Sequence, residues 1–133
     1  MSEENKRVVL DYVDAFNRGD LDGVCQAFAP DALIYGVLGW GGIEKTKPIW
    51  RDLIDSFAIR LHVEAMIAEG DEVSVRYVEH GRSLNSFRGG PVTEQGYEIT
   101  AMEWFIIRNG KIHKRWGARD TATMFWQMGL TIP

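Results

Sequence analysis

Apolar residues recur at helical spacing in the first part of the chain and at strand spacing in the rest. Val9, Tyr12, Val13 and Phe16 fall at i, i+3, i+4 and i+7, which predicts a helix over residues 4–17 with one apolar face. Asn17-Arg18-Gly19 stops it, with glycine suited to the left-handed C-terminal position. Asp20 is placed to cap a second, short helix, where Leu21, Val24, Cys25 and Phe28 repeat the spacing until Pro30 ends it. A short strand, Ala32 to Val37, follows. The glycine-rich run Gly36 to Gly42 reads as a flexible loop or pocket lip carrying Trp40, because it lacks the spacing and strand–helix context of a phosphate cradle. A third helix is expected over residues 46–58, with Pro48 in its first turn and Ile49, Trp50, Leu53, Ile54 and Phe57 facing inward.

Alternation then takes over. Leu61, Val63, Ala65 and Ile67 form one strand pattern and Val73, Val75 and Tyr77 another, joined by a hairpin at Glu69-Gly70-Asp71-Glu72. Residues 81–95 read as a long loop. Strands are expected from Tyr97 to Arg108 and from Lys111 to Arg119, and a last helix over 121–129. Helices first and strands after argue for an α+β fold, with helices on one face of a curved antiparallel sheet.

Asn109-Gly110 is the strongest local signal, a two-residue type I′ turn that sets the register of its hairpin. A regular ladder pairs Phe105 with Lys114, Glu103 with Trp116, Ala101 with Ala118 and Ile99 with Asp120, all on one face. Carboxylates rarely sit on an apolar face without partners, so either this face lines a pocket or the acids have buried mates. Glu103 and Asp120 lie roughly 13 Å apart along a flat ladder, too far to share a proton but suited to opposite ends of one substrate. In the other hairpin the apolar pattern favours Ala65 opposite Tyr77 and Val63 opposite Glu79. That sets His62 against His80 with Glu64 nearby, on a face that also carries Arg76 and reads as the outer one, so no metal site is expected.

Composition narrows the class. With 133 residues the chain fits one domain, residues 1–133, and 45% hydrophobic with 26% charged residues is a globular balance. A net charge of −4 and the absence of a basic run argue against a nucleic-acid surface. No apolar stretch approaches a membrane span, and the polar N-terminus lacks a secretory core. Cys25 is the single cysteine, so no internal disulfide is possible and a cytoplasmic location is expected.

The run Tyr12-Val13-Asp14-Ala15-Phe16-Asn17-Arg18-Gly19-Asp20-Leu21-Asp22-Gly23, with Phe28-Ala29-Pro30-Asp31-Ala32, resembles the opening of the NTF2-like superfamily. It is similar to ketosteroid isomerases and SnoaL-like polyketide cyclases. The similarity resumes at Glu103-Trp104-Phe105, at Asn109-Gly110-Lys111-Ile112, and at Trp116 with Asp120. The resemblance implies a cone-shaped α+β barrel with an internal cavity, and usually a dimer. It maps Tyr12 onto the isomerases' oxyanion-hole tyrosine and Glu103 onto their oxyanion-hole aspartate, which those enzymes keep protonated. The isomerases' base falls at Gly36, which has no side chain, whereas Asp120 matches the acid that SnoaL-like cyclases use as general acid/base. The arginine that the epoxide-hydrolase branch carries two residues before its strand acid is Ala101 here.

Each of these residues also has a plain structural reading. Tyr12 can be a core tyrosine with a satisfied hydroxyl, Glu103 a buried carboxyl bound to a hydroxyl or an arginine, and Asp120 the cap of the last helix. The expected site is Asp120, Glu103 and Tyr12 as catalytic groups, with Trp116, Trp40, Phe16, Phe105 and Ile99 lining a hydrophobic cavity. The expected activity is a cyclase- or isomerase-type proton transfer on a small hydrophobic carbonyl compound, with no cofactor. The alternative is a non-catalytic module that keeps the cavity for ligand binding or docking. Met102, Trp104 and Ile106 form an apolar row opposite Glu103, with His113 and Arg115 beside it, which points to a homodimer through the outer sheet face.

Overall fold

A computed structural model describes residues 2–36 and 38–131; Val37, the expected end of the first strand, lies outside them. The elements in chain order are α1 (Ser2–Asn17), α2 (Leu21–Gln26), β1 (Phe28–Gly36), β2 (Gly39–Gly41), α3 (Ile43–Phe57), β3 (Arg60–Glu69), β4 (Glu72–Arg82), β5 (Gly96–Arg108), β6 (Lys111–Arg119) and α4 (Thr121–Met128). The strands form one six-stranded sheet in the order β2-β1-β6-β5-β4-β3. Only β1 and β6 run parallel; the other neighbours are antiparallel. The sheet curves without closing and holds α1 in its concave face, where Val9, Tyr12, Val13 and Phe16 are buried. Among the described residues no helix is long and apolar enough to cross a membrane.

The Asn17-Arg18-Gly19-Asp20 motif works as a corner. The Asn17 side chain donates to the carbonyl of Leu61 at 2.9 Å and accepts from its amide at 2.8 Å, fixing the end of α1 to the start of β3. Gly19 has φ +70°, and Asp20 accepts from the Gly23 amide at 3.0 Å to cap α2.

Several boundaries differ from expectation. Phe28 belongs to β1 and not to the second helix, and Pro30 lies within that strand, where the pairing to β6 is irregular. The glycine-rich run is not all loop: Gly39–Gly41 pairs with β1, placing Trp40 opposite Tyr35. Helix α3 starts at Ile43, so Pro48 sits inside it and not in the first turn.

Two bulges decide which side chains face inward. In β3 the Gly70-Asp71 turn pairs Glu69 with Glu72, and Glu64 is then an extra residue between Val63↔Tyr77 and Ala65↔Arg76. Val63 is therefore opposite Tyr77 and Leu61 opposite Glu79, a shift from the expected pairs. Ile67 is turned out and 70% exposed. His62 faces Val78 and His80 faces Arg60, so the expected His62–His80 pair does not form. In β6 the Asn109-Gly110 turn is present, with φ 53° and 74°, and pairs Ile107 with Ile112 as expected. His113 is then an extra residue, and beyond it Phe105 pairs with Arg115, Glu103 with Gly117 and Ala101 with Arg119. This one-residue slip exchanges the faces of β6. Arg115 and Arg119 turn toward Glu103, whereas Lys114 and Trp116 turn outward.

Candidate active site

A cavity of about 90 Å³ lies between α1, α3 and the concave face of the sheet. Phe16, Ile34, Trp50 and Leu53 supply apolar wall, and the cavity reaches the surface beside Leu38 and Lys45. Lys45 donates to the carbonyls of Leu38 and Trp40 at 3.0 and 2.8 Å, tying α3 to the segment at this mouth.

Two largely buried polar clusters border the cavity. In the first, Glu103 on β5 accepts from three side chains. The Tyr12 hydroxyl lies 2.9 Å from Oε2 and 3.2 Å from Oε1, the Tyr77 hydroxyl 2.7 Å from Oε1, and Arg115 Nη1 2.5 Å from Oε2. Arg115 Nη2 also donates to the Tyr35 carbonyl at 3.1 Å. In the second, Glu79 on β4 accepts at Oε2 from the Tyr97 hydroxyl at 2.6 Å and from Arg119 Nη2. Glu79, Glu103, Arg115 and Arg119 all line the cavity. Arg115 Nε and Arg119 Nε are buried and have no hydrogen-bond partner among the described residues.

The electrostatics follow from burial and pairing. Burial, reinforced by the Glu103 charge, pushes the Tyr12 and Tyr77 hydroxyls well above their ordinary values. Burial and Glu79 do the same to Tyr97. Burial works against the charge of each arginine, but the facing carboxylate outweighs it, so both sit above the usual guanidinium value and stay cationic.

Of the residues expected here, Tyr12, Phe16 and Glu103 line the cavity. Glu103 is engaged as an acceptor through both oxygens, in the arrangement of a buried carboxyl held by hydroxyls and an arginine. Phe105 and Ile99 point inward but are packed in the core outside the cavity, Phe105 edge-on to Tyr12 at 5.5 Å. Trp116 and Trp40 are not in the wall. The β6 slip turns Trp116 outward, where it meets Trp40 edge-on at 5.7 Å with Lys114 Nζ about 5 Å from both rings. Asp120 does not share a face with Glu103: it is exposed, and its carboxylate accepts from the Thr123 amide at 3.2 Å as the cap of α4. Arg115 is correspondingly absent from the outer face. Sequence reasoning missed Arg115, Arg119, Glu79 and Tyr77. The requirement for a buried mate beside Glu103 was the available signal for Arg115.

A family model for SnoaL-like polyketide cyclases matches residues 6–128. The chain belongs to the SnoaL-like polyketide cyclase family. Among solved structures, this SnoaL-like chain is similar to IdmH from Streptomyces antibioticus, described as a proposed polyketide cyclase. The two are 26% identical over 95% of this chain and 99% of that one, with a TM-score of 0.83. AclR from Streptomyces galilaeus, described as a proposed hydroxylase, is 23% identical over 100% of both chains with a TM-score of 0.89. An LEH-like epoxide hydrolase from M. tuberculosis is 17% identical over 96% of this chain and 90% of that one, with a TM-score of 0.75. The last two likenesses establish the shared fold. No curated protein sequence matches the chain significantly.

Proposed function

We propose that this SnoaL-like protein is an enzyme of the cyclase/isomerase type, catalysing proton transfer next to a carbonyl group in a small hydrophobic compound. One observation carries the reading: two cationic arginines, Arg115 buried and Arg119 partly buried, line a mostly apolar cavity. An enolate oxygen is an acceptor that develops negative charge as the proton leaves. Fixed donors in a site shielded from water stabilise that charge more than they stabilise the neutral ketone. Tyr12, Tyr77 and Glu103 serve this reading by holding Arg115 in place. Trp40, Trp116 and Trp126 are absent from the cavity wall, which counts against a plugged docking module, while of the two acids expected to line an enzyme's cavity Glu103 does and Asp120 does not.

The site residues proposed from sequence divide accordingly. Tyr12 and Glu103 remain in the proposal as supports of the oxyanion site, and Phe16 as a substrate contact. We also propose that the protein works in the cytoplasm as a homodimer through the row of Met102, Trp104 and Ile106.

4-Nitrophenol, an enolate mimic, tests the oxyanion site because its ionisation is visible by absorbance. The protein is expected to bind the phenolate at least tenfold more tightly than the phenol, lowering the apparent pKa of the bound probe by about one unit. Arg115→Lys keeps the charge but loses the planar fork, and is expected to shrink that shift. Bound phenol ionising at or above the free value overturns the reading.

A further inference from the structure

Glu79 belongs to no role assigned from the sequence, yet it is the carboxylate in the cavity wall with an oxygen to spare. Only 1% of it is exposed. Its Oε2 is taken by Tyr97 and Arg119, while Oε1 receives no hydrogen bond from any described residue. Oε1 is also not among the sealed, unpartnered side-chain atoms of the described residues, and Glu79 lines the cavity. Glu103, by contrast, has both oxygens engaged by Tyr12, Tyr77 and Arg115. Asp120 is exposed and occupied as a helix cap.

We propose that Glu79 is the catalytic base of the cavity, taking a proton from a carbon next to a ligand carbonyl, with Tyr97 and Arg119 as its positioning residues. The proposal rests on the proton-transfer reading above and supplies the group that moves the proton. In the step, Oε1 forms an O–H bond as the C–H bond breaks. The C–H electron pair becomes the enolate double bond, and the carbonyl π pair moves onto oxygen. The cationic guanidinium groups of Arg115 and Arg119, residues that line the same cavity, supply the positive charge that stabilises that oxygen. Return of a proton from Glu79 or solvent to carbon restores the carboxylate, so no oxidant, reductant or co-reactant is needed. An anchored carboxylate with one free oxygen suits this role, because the bonds at Oε2 fix its plane without occupying the lone pairs that meet the ligand.

The test does not require the natural substrate. 2-Indanone carries exchangeable protons next to its carbonyl, and their loss in D₂O is followed by ¹H NMR. Wild-type protein is expected to speed exchange at least tenfold over buffer containing the same concentration of acetate. Glu79→Gln keeps acceptors for Tyr97 and Arg119, and is expected to lose that acceleration tenfold or more while binding 2-indanone unchanged. Glu79→Ala is expected to recover exchange when formate is added, which a purely structural role for Glu79 would not produce. Wild-type exchange rates in Glu79→Gln would overturn the assignment of Glu79 and leave proton transfer standing. Binding of 2-indanone by the wild type without faster exchange would overturn both.

Discussion

Arg115 fits because two glycines make room for it. A Cβ at Gly36 would lie 3.3 Å from its Nη2, and one at Gly117 would lie 3.2 Å from its Cζ and Nη1. The position where the isomerases keep a base is thus bare, and the arginine's guanidinium lies against it. Each tyrosine of the two clusters spends its hydroxyl proton on a buried carboxylate, which gives a pH signature. Their values in the folded protein are raised, so these hydroxyls stay protonated past about pH 10, where they ionise in the unfolded chain. Their contribution to stability is complete below that pH. It declines above it, because the unfolded chain gains by ionising and the folded one does not. Phenolate absorbance during an alkaline titration is expected to show Tyr12, Tyr77 and Tyr97 ionising only as the protein unfolds. Ionisation of all three in the folded protein near pH 10 would show that the clusters are open to water.

At the scale of elements, the bulge at His113 separates what the sequence made legible from what it did not. The period of the first helix, its stop at Asn17-Arg18-Gly19, the Asp20 and Asp120 caps and the Asn109-Gly110 turn are local signals, and each lies in the structure where its pattern placed it, whereas the second helix's period overruns into β1 at Phe28. Tyr12 and Glu103 were legible as partners through the family resemblance. The remainder of the site was not, because an extra residue in a strand leaves no mark in apolar alternation. A regular ladder puts Trp116 and Asp120 on the face of Glu103; one added residue replaces them there with Arg115 and Arg119. The series Arg115-Gly117-Arg119 does alternate on one face, and a buried Glu103 demands a mate. Together those facts point to the slip, but neither compels it. Deleting His113 is expected to force a choice between a regular ladder, which expels Arg115 and leaves Glu103 buried without its cation, and a displaced hairpin. Loss of such a buried partner costs about 3–5 kcal/mol. Urea unfolding is expected to show a stability loss of that order, and an unchanged midpoint would mean that the bulge does not set the face.

For the whole molecule, the slip leaves the outer face with a clear character. Met102 and Trp104 are 51% and 46% exposed, Trp116 is opposite Trp104, and Lys114 lies over Trp116 and Trp40. The Trp104 indole donates to Glu72 at 2.7 Å, so the ring is fixed and presents a flat surface. An apolar patch of this kind suits a second copy of the chain. Sedimentation at micromolar concentration is expected to show a dimer that Trp104→Glu converts to a 15.1 kDa monomer with the fold intact. A dimer indifferent to that substitution would place the interface elsewhere. On the concave side, the two arginine–glutamate clusters balance in charge and set the guanidinium groups of Arg115 and Arg119 in residues that line the cavity. That these two guanidinium groups stabilise the ligand's oxygen is the claim on which the function depends. It is tested most directly by the ¹⁵N–¹H resonances of the arginine Nε groups in labelled protein, recorded with and without 4-nitrophenolate. Both resonances are expected to shift as the anionic probe binds beside their guanidinium groups; binding that leaves both of them unmoved would contradict the assignment of this cavity as an oxyanion site.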